Sequence, residues 1–152
     1  MNATALPASA QAIAQLIPHQ GGMCLLDEVL SCTATQASCR TRRHGAPDHP
    51  LRSASGLLAP VGIEYAAQAM ALHGALNAKP GVHGKPGFIA SARGVKLHVA
   101  RLDDVPGALT VHVEHLAGDE RQALYRFELR DDDGRLLVDG RATVVLDTPF
   151  AS

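Results

Sequence analysis

The sequence predicts an α+β domain in which an antiparallel β-sheet wraps around one long central α-helix. Three observations carry that expectation. The run from Leu57 to Ala78 is apolar on nearly every side of a helix, as a helix in the middle of a domain must be. After Gly87 the pattern changes to strands, several of which alternate with a period of two. Two of them are joined by Asp132-Asp133-Gly134, an Asp-Gly hairpin signal that makes neighbouring strands antiparallel.

The elements follow in order. Ala12, Ile13, Leu16 and Ile17 share one helical face, Ser9 is placed to cap it, and Pro18 stops it. His19-Gln20-Gly21-Gly22 reads as a loop. Met23 to Leu30 reads as a first strand and Thr33 to Arg43 as a second. From His44 to Gly56 the pattern fails, and Gly45, Pro47, Asp48, Pro50, Ser53 and Ser55 mark a long loop, where binding groups concentrate. The central helix follows, with Pro60 in its first turn and Ala, Leu and Met in its body. Lys79-Pro80-Gly81 stops it, and a Gly/His/Pro loop runs to Pro86. Phe88–Val99, Leu109–Leu116, Ala123–Arg130 and Leu136–Leu146 are the four later strands. No internal repeat is visible, so residues 1–152 read as a single domain.

Composition narrows the function. Hydrophobic residues make up 46% and charged residues 19%, with a net charge of -1, so nothing neutralises a phosphate backbone and nucleic acid is excluded as a partner. Aromatic residues are only 3% and Trp is absent, so the core is aliphatic. No run of about 18 apolar residues occurs, and no membrane span is expected. The N-terminus lacks the charged and apolar regions of a secretory signal, which makes a cytoplasmic location the expectation. Cys24, Cys32 and Cys39 form no CxxC pair, so neither a disulfide framework nor a metal site is expected. No P-loop, dinucleotide fingerprint or G-x-S-x-G elbow is present.

Among candidate functional residues, Glu64 stands out. It falls in the first turn of the apolar helix, within Val61-Gly62-Ile63-Glu64-Tyr65-Ala66-Ala67-Gln68, and nearly all its neighbours are apolar. A carboxyl so placed suits acid–base chemistry. A solvent-facing Glu favoured by the helix dipole fits the same position. Gln68, one turn later on the same face, is placed to hydrogen-bond Glu64 or a ligand. In the preceding loop Asp48-His49-Pro50 offers a histidine that titrates near neutral pH, and a plain surface histidine fits there equally. His44 is a weaker rival in that loop. His112 and His115 form H-x-x-H, but on a strand they face opposite sides and do not share a metal.

Three segments together resemble the 3-hydroxyacyl-(acyl carrier protein) dehydratases of the hot-dog superfamily. They are Ile17-Pro18-His19-Gln20-Gly21-Gly22-Met23-Cys24-Leu25-Leu26-Asp27-Glu28-Val29, His49-Pro50, and Gly62-Ile63-Glu64-Tyr65-Ala66-Ala67-Gln68. The Val-Gly-Ile-Glu-Tyr signature, preceded by Leu58-Ala59-Pro60, is similar to the aryl-polyene branch of those dehydratases.

The resemblance implies a hot-dog fold and dehydration of a 3-hydroxyacyl thioester to the trans-2-enoyl thioester, in fatty acid or polyene synthesis. It implies His49 as the base that takes the proton beside the thioester carbonyl, and Glu64 as the acid that protonates the leaving hydroxyl. Gln68 would bind substrate, and so would the helix start at Ala59, Pro60 and Gly62, where backbone N–H groups near Ala59 to Gly62 would polarise the thioester oxygen. No cofactor is implied beyond the phosphopantetheine that carries the substrate. The implied partners are an acyl carrier protein and a second hot-dog subunit, in a homodimer or a heterodimer that brings base and acid together. Two other readings stay open: a hot-dog acyl thioesterase using Glu64, and a non-catalytic acyl-binding or partner subunit.

Overall fold

The computed structural model describes residues 5–19, 21–78 and 87–146. The expected stop at Lys79-Pro80-Gly81 and the loop to Pro86 lie outside them, as do Gln20 and the extreme N-terminus. The chain forms helix α1 (Ala10–Ala14), strands β1 (Glu28–Cys32) and β2 (Gln36–Thr41), helix α2 (Gly62–Leu76), and strands β3 (Gly87–Leu97), β4 (Leu109–Gly118), β5 (Gln122–Arg130) and β6 (Leu136–Leu146). The six strands make one antiparallel sheet in the order β1-β2-β4-β5-β6-β3, wrapped on α2 as the hot-dog fold requires.

Local chemistry explains the element boundaries. Ser9 caps α1, its Oγ accepting from the Ala12 N–H at 3.1 Å. The β5–β6 turn places Gly134 at φ 80°, where an L side chain would be strained. Along β4, Leu109, Val111 and Val113 are buried, and along β5 Ala123, Tyr125, Phe127 and Leu129 are buried, which is the period-two pattern seen in the sequence. These side chains meet Tyr65, Ala66, Ala69, Met70 and Leu72 of α2 in one core. At Gly62 a Cβ would stand 3.2 Å from Val138 Cγ2, so the start of α2 lies so close to the sheet that a side chain there would have to push Val138 aside slightly.

Two elements begin later than the sequence predicts, for the same physical reason. The segment before β1 buries Cys24, Leu25 and Leu26, but several of its backbone groups bond side chains instead of a neighbouring strand. Leu25 N–H donates to Gln68 Oε1 at 2.8 Å, and the Cys24 carbonyl accepts from Arg43 Nη2 at 2.7 Å. Asp27 in turn receives Arg43 Nε at 2.7 Å and the Arg42 N–H at 2.8 Å. The ladder therefore starts at Glu28, not Met23. Before α2, the Leu57 N–H goes to Asp103 Oδ1 at 2.9 Å and the Ala59 N–H to the Ala100 carbonyl at 3.0 Å. Ala59–Val61 is a tight 3-10 turn containing Pro60, and regular helix begins at Gly62 rather than Leu57.

Strand β3 is an edge, hydrogen-bonded only to β6 among the described strands. Phe88 and Leu97 on it are exposed. No helix among the described residues is long and apolar enough to cross a membrane.

Candidate active site

Glu64 is the third residue of α2, and its carboxylate stands where the helix meets the segment after α1. That segment delivers His19, whose Nε2 lies 2.9 Å from Glu64 Oε1. The two side chains are 26% and 35% exposed, so a substrate can reach the pair. Gln68, one turn further on, is fully buried and donates from Nε2 to the same Glu64 oxygen at 3.3 Å. Oε1 thus has two neighbours, and Oε2 has no hydrogen-bond partner among the described residues. His19 Nδ1 is buried, which leaves Nε2 as the ring nitrogen that can meet a ligand.

Gln68 also spans the gap between α2 and the chain after His19. Its Oε1 accepts from Leu25 N–H and its Nε2 donates to the Met23 carbonyl at 2.7 Å. The expected bond to Glu64 is present. The side chain, assigned from sequence to substrate, also holds the chain that carries His19.

His49 is placed differently. It is 7% exposed, its Nε2 sits 2.9 Å from the Tyr65 hydroxyl, and its Nδ1 accepts from the Leu51 N–H at 3.1 Å. With Nδ1 accepting, Nε2 carries the proton and donates to Tyr65. Burial pushes the His49 pKa below the ordinary histidine value, with Arg43 adding to the effect. Within one chain, therefore, the structure brings His19 rather than His49 to Glu64. His44, the weaker rival, is buried with Nε2 2.9 Å from the Val105 carbonyl.

The helix-start residues also take other duties. The Ala59 N–H bonds Ala100, Pro60 has no N–H, and the Gly62 N–H turns back onto the Ala59 and Pro60 carbonyls. None of the three lines the cavity beside Glu64.

That cavity has a volume of about 930 Å³ and a mostly apolar lining. His19 and Glu64 border it together with Ile63, Ala67, Ala71 and Gly74 of α2, Ile89 of β3, Tyr125 of β5 and Val144 of β6. Tyr125 is held from behind. Its hydroxyl lies 2.8 Å from His73 Nδ1, and His73 Nε2 lies 3.1 Å from the Thr33 carbonyl. A carbonyl only accepts, so Nε2 carries the His73 proton and the Tyr125 hydroxyl donates to Nδ1. Burial pushes Tyr125 up to about 12 and His73 below its ordinary value. His112 bonds Ser38 at 2.7 Å, whereas the His115 ring packs 5.2 Å from Tyr125, on the other side of the strand. Among the described residues, no group of three or more His, Cys, Asp or Glu could hold a metal. Cys24 and Cys39 are buried, and burial raises the Cys39 thiol to about 12.

The sequence pointed to Glu64 and Gln68 but not to the partner of Glu64. The local pattern Pro18-His19-Gln20-Gly21-Gly22 marks a loop but not what that loop meets.

Comparison with known proteins gives a consistent frame. The model of the ApeP-like family, described as ApeP dehydratase, matches residues 11–151. No curated protein matches the sequence. Among solved structures, the dehydratase heterocomplex ApeI:P from Xenorhabdus doucetiae is similar over 90% of this chain and 91% of that one, at 21% identity and a TM-score of 0.75. A thioesterase variant from Staphylococcus aureus is similar over 79% of this chain and 92% of its own, at 12% identity and a TM-score of 0.61. A hypothetical thioesterase from Streptococcus pneumoniae, solved with coenzyme A, covers 79% and 84%, at 15% identity and a TM-score of 0.56. At these identities the structural likenesses speak to the hot-dog fold.

Proposed function

The chain belongs to the ApeP-like dehydratase family, and we propose that it eliminates water from a 3-hydroxyacyl thioester to give the trans-2-enoyl thioester. The acyl group arrives on the phosphopantetheine arm of an acyl carrier protein, in the cytoplasm. The observation that supports this reading most is the His19–Glu64 pair at the border of an apolar cavity.

Elimination needs a base for the Cα proton and an acid for the leaving hydroxyl, both in reach of one Cα–Cβ unit. In the reactive state Glu64 is protonated and His19 Nε2 is bare. Nε2 takes the Cα proton, the C–H electron pair forms the double bond, and the C3–O bond breaks. Glu64 gives its proton to the departing oxygen through Oε2, and water leaves. The pair then holds imidazolium and carboxylate. A proton shift across the 2.9 Å contact puts a proton on Oε1, and a turn of the carboxyl group brings it back to the Oε2 position and restores the pair. Gln68 acts as a positioning residue, because it grips both Glu64 and the chain leading from His19. His49 keeps Tyr65 in place instead of acting as the base.

We assign the second subunit to edge strand β3. Its Gly87, Phe88 and Ile89 border the cavity, and exposed Phe88 offers an apolar surface to a related hot-dog subunit. A heterodimer of this kind is in keeping with the family likeness.

A second reading, thioester hydrolysis, draws on the unpartnered Oε2 of Glu64 as a nucleophile or base for water. One assay separates the two. Incubation with a 3-hydroxyacyl-pantetheine gives an α,β-unsaturated thioester and no free thiol if water is eliminated. Release of thiol would replace the dehydratase reading with hydrolysis. Absence of both products, with the chain alone and with its hot-dog partner, would overturn the enzymatic reading and leave a binding subunit.

A further inference from the structure

Three arginines stand in a row across the sheet, on the face turned away from α2. Arg126 of β5 lies opposite Arg141 of β6, and Arg141 lies opposite Arg93 of β3. All three are exposed, whereas their chain neighbours Tyr125 and Ala142 are buried on the inner face. Adjacent strands are about 4.8 Å apart, and like charges directly opposite each other destabilise a sheet. Among the described residues none of the three makes a hydrogen bond or an ion pair, whereas Arg43, Arg101 and Arg130 each meet a carboxylate. The nearby acids are engaged elsewhere: Glu128 holds Arg130 at 3.1 Å and Asp139 holds His98 at 2.9 Å. Folding therefore gives no reason for the row. The row also has a direction. Glu114 of β4 stands opposite Arg126 at its inner end, and Glu128 and Asp139 flank it one row along. Toward the free edge there is no acid at all, since β3 carries Arg93 and Lys96 and neither Asp nor Glu. A flat polyanion would meet the flanking acids too; a strand added at the edge meets only cations.

We propose that this row selects an unlike subunit. It repels a second copy of this chain at the β3 edge and accepts a hot-dog subunit whose own edge strand carries Asp or Glu on its outer face. This rests on the assignment of the second subunit to β3 given above. An antiparallel pair of two copies that uses the whole of β3 centres on Ala92, the middle of its 11 residues. Arg93 of one copy then faces Ser91 of the other, and the two Arg93 side chains become diagonal neighbours about 7–8 Å apart. Arg141 and Arg126 stand behind each of them, so guanidinium groups alone line the junction. An acid on the partner's edge strand turns the same contact from repulsion into attraction. The Debye length is about 10 Å at 0.1 M salt and about 3 Å at 1 M, so the discrimination acts at low salt and fades at high salt.

The test is association of the purified chain with itself and with charge variants, read by analytical ultracentrifugation in sodium chloride at about 0.05 M and about 1 M. Thermal unfolding checks that each variant is folded. The parent pairs with itself at least about tenfold more tightly at high salt than at low salt. Arg93→Gln with Arg141→Gln removes that salt dependence, and this neutral variant pairs with itself at low salt as the parent does at high salt. Arg93→Glu with Arg141→Glu is the acidic probe. It keeps two like charges face to face within its own sheet, as in the parent. At low salt it binds the parent at least about tenfold more tightly than the parent binds itself, and high salt abolishes the advantage. A parent dimer equally tight at both salts would overturn the proposal, as would an acidic probe that binds the parent no better than the parent does. If that dimer is weakened in Phe88→Ser, the β3 assignment survives and only the charge selection falls. No association of any pair at either salt overturns both. Because no step involves turnover, the dehydratase reading stands or falls separately.

Discussion

Two neighbouring residues of α2 hold two histidines in opposite circumstances. Glu64 meets His19 at the border of the cavity, in a contact that solvent and substrate can reach. Tyr65 meets His49 in the core, where both ring nitrogens are engaged and burial favours the neutral ring. One residue along a helix turns a side chain by about 100 degrees, enough to send one partner toward the cavity and the other into the protein. A histidine beside a carboxylate with a free oxygen can trade protons. A histidine saturated by a backbone N–H and a phenol can only brace.

Variants should separate the two pairs, beginning with the largest effect. Glu64→Gln keeps the shape and removes the proposed acid. Dehydration should fall by about 100-fold or more, while the melting temperature barely moves, which paired activity and thermal-unfolding measurements will show. Gln68→Leu should join the two regions by damaging both. It leaves the buried Leu25 N–H and the Met23 carbonyl without their partner, a loss of about 2–4 kcal/mol in denaturant unfolding, and frees Glu64 to drift from His19. His49→Phe should show the reverse of Glu64→Gln. Stability drops by about 1–3 kcal/mol because the Tyr65 hydroxyl loses its partner, and turnover per folded molecule is nearly unchanged.

The bracing histidines also set an acid limit. His49 and His73 have folded-state pKa values below that of the unfolded chain, so the unfolded chain binds more protons in that window. Stability therefore rises with pH through the window. It is fully present above the ordinary histidine value of about 6.5 and is lost as pH falls from there toward the lowered folded values. Unfolding curves at a series of pH values should show this slope, and His49→Phe should flatten it. The smallest effect is expected at the exposed His98–Asp139 pair, where His98→Ala should cost less than about 1 kcal/mol.

The sequence made the wrapped-sheet architecture legible because period-two burial in β4 and β5 and the apolar run of α2 are local signals. It made Glu64 and Gln68 legible for a similar reason, since both lie on one helix and their spacing fixes a shared face. What escaped were contacts between distant parts of the chain. Leu25 finds Gln68, Arg43 finds Cys24 and Leu57 finds Asp103, and each contact takes backbone that its own local pattern assigns to strand or helix. His19 escaped in the same way. Nothing around Pro18-His19 announces that the turn after α1 ends at the start of α2. His49, by contrast, stood in a loop of Gly, Pro and Ser that reads as exposed, yet Tyr65 draws it into the core.

The claim that His19, not His49, is the base facing Glu64 is tested most directly by comparing His19→Asn with His49→Asn in the same 3-hydroxyacyl-pantetheine assay, each rate normalised to folded protein. The account predicts a loss of about 100-fold or more for His19→Asn, against a change of less than about threefold for His49→Asn. A folded His49→Asn protein without activity, beside a His19→Asn protein that still turns over, would contradict it and return the base to His49.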